Sequence, residues 1–329
     1  AKGSCQIGGI ASTNAGGSNV LLNGMARDNI LGIEAVLADG RIVNSTNVLL
    51  KNNTGYDLKQ LFIGSEGTLA VITRLNLKLG YLPPAKHSAL LAVSNFEHCL
   101  TIKQQLQRQL NDQLSAFEVM WQDFYEKSIK SDYIERKPLP AGHPYYVIVE
   151  YNSGANPAFE DIFMTALNDL LEQGLADDVV IAQNSTEQKN LWAIRENIEP
   201  FRSDGNMVAF DISMPTKHMT AYVDRIRQTM TAEKLQLTPY FFGHIGDCNL
   251  HIIFTLPESS SITADDLDAI VYDNLSGLSG SISAEHGIGK DRLKYLPLSR
   301  SEIEIELMRT IKRTMDSELI LNPGKIIEC

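Results

Sequence analysis

Two histidines seven residues apart, His244 and His251, stand in PYFFGHIGDCNLHIIFTL. On a helix they would lie two turns apart, but Gly246, Asp247 and Asn249 are poor helix residues. As a hairpin with loop Gly246-Asp247-Cys248-Asn249, the segment pairs Ile245 with Leu250 and His244 with His251. Directly opposed residues have Cβ atoms roughly 4.5–5.5 Å apart on one face. Two imidazoles so placed suit one divalent ion, and a carboxylate would complete the set while leaving positions open for substrate. Glu285 in SISAEHGIGK is the candidate carboxylate, with His286 directly after it. Strand-edge histidines bonded to carbonyls would give the same pattern, and spacing alone does not choose. Asp247 could orient an imidazole or simply turn the chain, and Cys248 is a weaker candidate ligand.

A second kind of chemistry is suggested by the opening SCQIGGIASTNAGGSN. Its small residues, Gly9, Ala11, Gly16 and Gly17 among them, would let backbone approach a ligand and offer N–H groups to an anion. An ordinary turn-rich loop has the same composition. Arg195, in LWAIRENIEP, could clamp a carboxylate with its planar fork, or pair with Glu199 one helical turn on. GxGxxG, GxxxxGK[ST] and GxSxG are missing, so neither a Rossmann or P-loop site nor a simple serine hydrolase is supported.

The elements that must position these groups fall into three textures. Residues 1–85 are rich in Gly, Asn and β-branched residues, with the opening read as loop. A hairpin is predicted in ILGIEAVLADGRIV, turning at Asp39-Gly40, and a strand in GTLAVITRLNLKLG. Residues 86–256 alternate strands (SALLAVSNF, YYVIVEYNS, DVVIAQ, PYFFGHI, LHIIFTL) with helices (FEHCLTIKQQLQRQL, FEDIFMTALNDLLEQG, MTAYVDRIRQTMTAEK). That pattern predicts an α+β, ferredoxin-like domain with a mainly antiparallel sheet. Residues 257–329 read as mostly helical, with SEIEIELMRTIKRTMDS amphipathic and Asn322-Pro323-Gly324 as the stop.

Composition bounds the partners. The 329 residues carry 29 Lys+Arg against 40 Asp+Glu, a net charge of −11, which argues against a nucleic-acid binder. No run approaches the ~18 apolar residues of a membrane span. Four scattered cysteines (Cys5, Cys99, Cys248, Cys329) form no CxxC and suggest a reduced compartment. The chain opens Ala1-Lys2-Gly3-Ser4, without Met and without a signal-like segment, as expected of a processed start or of part of a longer protein.

Several motifs in one order, GGIASTNAGG, RDNILGIEAVLADGRIV, KNNTGYDLKQLFIGSEGTLAVIT, LWAIRE, GHIGDCNLH, SAEHGIGKDR and NPGKI, run from end to end. With them the chain resembles the FAD-linked D-2-hydroxyacid dehydrogenases of the vanillyl-alcohol oxidase / p-cresol methylhydroxylase superfamily. These include D-lactate and D-2-hydroxyglutarate dehydrogenases and the glycolate oxidase FAD subunit. The resemblance implies a partial FAD-binding domain at 1–85, a substrate- and metal-binding α+β cap at 86–300, and a C-terminal helix and tail at 301–329 returning to the flavin domain. It places Gly9, Ala11, Thr13, Asn14, Gly16, Gly17, Glu66, Gly67, Ile72 and Asn322 along FAD. His244, His251 and Glu285 match the ligands of a divalent metal (Zn, Fe or Mn), His286 the general base and Arg195 the substrate-carboxylate arginine. The implied reaction is oxidation of a D-2-hydroxy acid to the 2-oxo acid by hydride transfer to flavin N5. A quinone, a cytochrome or an electron-transfer flavoprotein would accept the electrons. A cytoplasmic setting, peripheral to the inner membrane at most, is expected, and a homodimer is left open.

Three departures qualify the resemblance. Cys248 replaces the Gly of the family's GDGN loop, where the turn calls for a left-handed residue. Ala209 and Ile253 stand where the hydroxyglutarate enzymes carry Lys and Asn, which favours a D-lactate-like substrate over D-2-hydroxyglutarate. The family's PxGGGT-like pyrophosphate loop has no counterpart in these residues. The chain is therefore expected to hold FAD weakly or not at all alone, and an inactive fragment that binds metal and a hydroxy or oxo acid is the further alternative.

Overall fold

A computed structural model of the chain describes residues 3–130, 134, 137–154, 156, 158–232, 235 and 237–329. Ala1 and Lys2, on which the reading of the chain start rests, lie outside the described residues, as do Glu233 and Lys234 of the third predicted helix. The chain divides into two compact units. One comprises Ala1–Gly17, Asn23–Tyr81 and Ser279–Cys329; the other comprises Ser18–Leu22 and Leu82–Leu278. Glu285 and His286 thus belong to the first unit, where the sequence suggests a break nearer residue 300.

The first unit is built on three antiparallel strands, β1 (Ile30–Val36), β2 (Ile42–Ser45) and β3 (Val71–Leu77), in the order β2-β1-β3. Alternation along β1 buries Ile33 and Ala35 against Phe62 and Ala70. The predicted hairpin forms, but its loop has three residues, not two. Leu37 N–H donates to Arg41 C=O (2.9 Å), and Gly40 takes φ +86°. This left-handed third position suits a three-residue loop, which Asp39-Gly40 satisfies as readily as a two-residue turn.

A second difference concerns the opening. The expected loop contains a helix, Ile7–Thr13, closed by Asn14 in the left-handed region (φ +50°). Periodicity gave no sign of it because its packing residue is the small Ala11, which is fully buried. At the other end of the chain, Ser301 and Glu304 form a capping box that starts the predicted amphipathic helix, Glu302–Met315. The helix stops at Asp316, before Asn322-Pro323-Gly324, because Asp316 accepts the Ile320 and Leu321 N–H groups (3.1 and 2.9 Å) and folds the tail back.

The second unit is a seven-stranded antiparallel sheet with helices, the α+β architecture expected. Its strands are β4 (Ala85–Val93), β5 (Leu114–Trp121), β6 (Tyr145–Ser153), β7 (Asp178–Ile181), β8 (Asn206–Ser213), β9 (Tyr240–Gly243) and β10 (Asn249–Leu256). Their order is β7-β4-β6-β5-β9-β10-β8. Two of them, β5 and β8, carry no clear alternation in the sequence. All eight residues of β5 are buried, so no polar face marks it. Three successive register pairs, Met120 with Phe242, Phe242 with His251 and His251 with Asp211, run from β5 across β9 and β10 to β8, and Glu118, two residues before Met120, shares their face of the sheet.

Candidate active site

The hairpin around His244 and His251 differs in register from the sequence reading. His251 faces Phe242, not His244, because Ile245–Asp247 form a short 3-10 turn that widens the loop. His244 sits at the start of that turn, with Asn249 N–H donating to its carbonyl (3.1 Å). The two imidazoles nevertheless meet, with ring centroids 5.2 Å apart and planes at 79°. Cys248 takes φ +72°, the left-handed geometry expected where the family motif has Gly. Asp247 accepts the Asn249 N–H (3.3 Å), a turn-forming contact.

The orienting carboxylate behind His244 is Glu118 of β5, which sequence reasoning missed. Its Oε1 lies 2.5 Å from His244 Nδ1, and its Oε2 accepts from Arg195 Nε at 2.9 Å. Glu118 is 1% exposed. Burial pushes its carboxyl pKa up, but the charges of Arg195 and His244 outweigh this and hold it below the ordinary carboxylate range. An ionised carboxylate only accepts, so Nδ1 of His244 carries a proton toward Glu118. A glutamate inside an apolar strand, SAFEVMW, was the available signal, since Glu is rarely buried unless paired.

Arg195 lies near the end of the helix Ser185–Glu196 and is 7% exposed. The expected alternative pairing with Glu199 does not form; Glu199 pairs with Arg202, and Arg195 reaches 77 residues back to Glu118. Its guanidinium lies 4.3 Å from the Phe242 ring centroid. Its buried Nη2 has no hydrogen-bond partner among the described residues. Leaving such a donor unpaired costs about 1–3 kcal/mol, so the site carries an unmet demand for an acceptor. The same helix is fixed a turn earlier by Trp192, whose Nε1 donates to Glu150 Oε2 (3.2 Å). Glu150 of β6 is diagonal to Glu118 on the same face, so two buried carboxylates hold one helix.

In the first unit, Glu66 organises the segment after Glu285 and His286. Its carboxylate accepts the N–H groups of Ile288 (2.7 Å) and Gly289 (2.9 Å). Gly287 has φ +75°, and a Cβ there would fall 2.3 Å from Glu66 Oε1, so only glycine fits. Glu66 C=O in turn accepts from Asn322 Nδ2, which joins two expected cofactor residues, and Gly67 packs beside Asn322. Asn14 Oδ1 accepts the Arg27 N–H (2.9 Å), and Thr13 Oγ1 donates to Gly9 C=O (3.0 Å). Ala11 and Ile72 pack inside the unit, so the Ala11 side chain faces protein and not an open surface. Gly9 and Gly17 are exposed, and a Cβ at either would meet nothing within 4 Å.

Residues 82–326 match the FAD linked oxidases, C-terminal domain, and residues 1–46 match the FAD binding domain. The chain belongs to the FAD-linked oxidases. It is 35% identical to the D-2-hydroxyglutarate–pyruvate transhydrogenase of Saccharomyces cerevisiae, over 99% of this chain and 67% of that one. It is 37% identical to the mitochondrial D-2-hydroxyglutarate dehydrogenase of Danio rerio, over 99% of this chain and 61% of that one. The D-2-hydroxyglutarate dehydrogenase of Xanthomonas citri is 36% identical over this whole chain and 70% of its own length. This FAD-linked oxidase chain therefore spans roughly two thirds of such relatives. Among solved structures, alkyldihydroxyacetonephosphate synthase superposes with TM-score 0.67 at 18% identity, over 97% of this chain and 58% of that one. Substrate-bound p-cresol methylhydroxylase superposes with TM-score 0.67 at 13% identity, over 93% of this chain and 68% of that one. These two place the FAD-linked oxidase in the expected fold. No helix among its described residues is long and apolar enough to cross a membrane.

Proposed function

We propose that this chain carries the substrate and metal chemistry of an FAD-dependent D-2-hydroxyacid dehydrogenase. His244 and His251, with Glu285 as the carboxylate suggested by its motif, hold a divalent ion; Zn, Fe or Mn suits two imidazoles and a carboxylate. Gly9, Thr13, Asn14, Gly16, Gly17, Glu66, Gly67 and Asn322 line the flavin side. When bound, the ion polarises the α-hydroxyl and FAD accepts the hydride, which yields the 2-oxo acid. His286 removes the hydroxyl proton as general base. Arg195 turns its unpaired Nη2 to the substrate carboxylate and so fixes which face of the α-carbon is presented. A quinone, a cytochrome or an electron-transfer flavoprotein would take up the electrons, reached from a cytoplasmic, membrane-peripheral position.

One observation carries this reading. His244, oriented through Nδ1 by the buried Glu118, has its ring centroid 5.2 Å from that of a second imidazole, His251. A D-lactate-like substrate is favoured by Ala209 and Ile253, which offer no charge to a second carboxylate. D-2-hydroxyglutarate is the second reading, favoured by the names of the relatives. The test is dye reduction by the chain supplied with FAD and Zn or Mn, with D-lactate and D-2-hydroxyglutarate. Turnover that disappears in His244→Ala and Glu285→Ala supports the proposal. Wild-type turnover in both variants, or metal content unchanged by both, overturns it.

A further inference from the structure

We infer that Glu118 is the positioning residue that couples the two halves of the proposed site, the metal imidazole and the substrate arginine. The inference rests on the reading of His244 as a metal ligand. Glu118 makes no claim on substrate itself. One oxygen holds His244 Nδ1 and the other holds Arg195 Nε, so a single buried carboxylate sets two orientations at once.

The geometry leaves little slack. Glu118 is 1% exposed and Arg195 7% exposed, so water cannot readily replace either contact. Phe242 lies under the guanidinium and also beside His251, with centroids 5.0 Å apart, so Arg195 is bounded on its ring side as well. Two donors require two acceptors. A glutamine at 118 keeps the shape but offers one acceptor oxygen and one N–H₂ group. Either His244 or Arg195 must then face a donor. If His244 does, it turns to the tautomer protonated at Nε2 and loses the lone pair a metal needs. If Arg195 does, its guanidinium is displaced and the carboxylate contact is lost. Glu118 therefore governs metal affinity and substrate KM together, although it touches neither ligand.

The test uses the whole chain. Long-range ¹⁵N–¹H correlation of the imidazoles in metal-free protein, with His244 assigned through His244→Ala, reads the tautomer directly. Wild-type His244 should be protonated at Nδ1. A wild-type His244 protonated at Nε2 overturns the proposal without any variant having to fold. Zinc affinity, by competition with a chromophoric chelator, should fall about 10–100-fold in Glu118→Gln, the range usual for a partner of a metal-bound histidine. In the same variant KM for D-lactate should rise. A folded Glu118→Gln with wild-type tautomer, zinc affinity and KM overturns the proposal. If wild type binds no zinc, the metal reading fails, while the tautomer still decides whether Glu118 sets His244.

Discussion

Ala209 and Ile253 face each other across β8 and β10, one step along the same sheet face from the facing pair Asp211 and His251. These are the two positions at which the resemblance to hydroxyglutarate enzymes calls for Lys and Asn. Their separation in sequence, 209 against 253, hides the fact that they are one place in space. The two departures act as a single change: one cross-strand pair, beside a proposed metal ligand, has lost both its charge and its amide.

Restoring the pair should therefore move substrate preference. Ala209→Lys with Ile253→Asn should raise the ratio of kcat/KM for D-2-hydroxyglutarate over D-lactate about 10–100-fold, since hydrogen bonds to charged groups contribute about 1.5–3 kcal/mol. Either single change should give less, because neighbours in register couple. A double variant with an unchanged ratio would remove these positions from specificity. Ile253 is buried, so the folded state should be checked by circular dichroism in parallel.

A separate prediction concerns Glu66. Its two oxygens cap two consecutive N–H groups in the turn that follows His286, and its backbone carbonyl binds Asn322. Glu66→Ala should leave Ile288 and Gly289 N–H groups without that acceptor and speed their hydrogen exchange. Misplacing a proposed base by about 1 Å costs on the order of 100-fold in rate, so kcat should fall by 10-fold or more. Unchanged exchange at 288 and 289 would show that the turn stands without Glu66.

Much of this was legible in the sequence, for physical reasons that differ by element. The helix Glu302–Met315 was readable because its apolar stripe is a local, periodic pattern. The histidine pair was readable as a pair, but its register was not, because a 3-10 turn can replace two ladder positions at no cost in composition. Strand β5 was missed because full burial removes the alternation on which strand recognition depends, and Glu118 was missed with it. Spacing left open a local pair of Arg195 with Glu199 because the partner it does take, Glu118, is 77 residues distant and reached only through the sheet.

Cys248 gives a stability prediction. A non-glycine residue at φ +72° is strained by about 1–2 kcal/mol, which glycine relieves at some cost in unfolded-state entropy. Cys248→Gly should stabilise the second unit by about 0.5–1 kcal/mol in urea unfolding. A destabilised variant would mean that the Cys248 side chain packs more favourably than its backbone is strained.

The C-terminal return should be acid-sensitive through Asp316. This residue is fully buried and pairs with Lys312, itself 5% exposed; Lys312 Nζ also donates to the carbonyls of Thr68 and Leu321 (both 2.8 Å). Burial pushes the Asp316 carboxyl up, but the hydrogen bonds from Lys312, Leu321 and Ile320 prevail and hold it below its ordinary value of 3.8. The unfolded chain therefore binds a proton at higher pH than the folded one. Its contribution is fully present above about pH 4–5 and is lost as pH falls through the lowered folded value. Asp316→Asn should destabilise by about 3–5 kcal/mol at neutral pH, because it strands the buried Lys312 charge. The gap between wild type and Asp316→Asn should narrow as urea unfolding is repeated at pH 5, 4 and 3. A gap that stays constant over that range would mean the carboxylate is not held ionised by its partners.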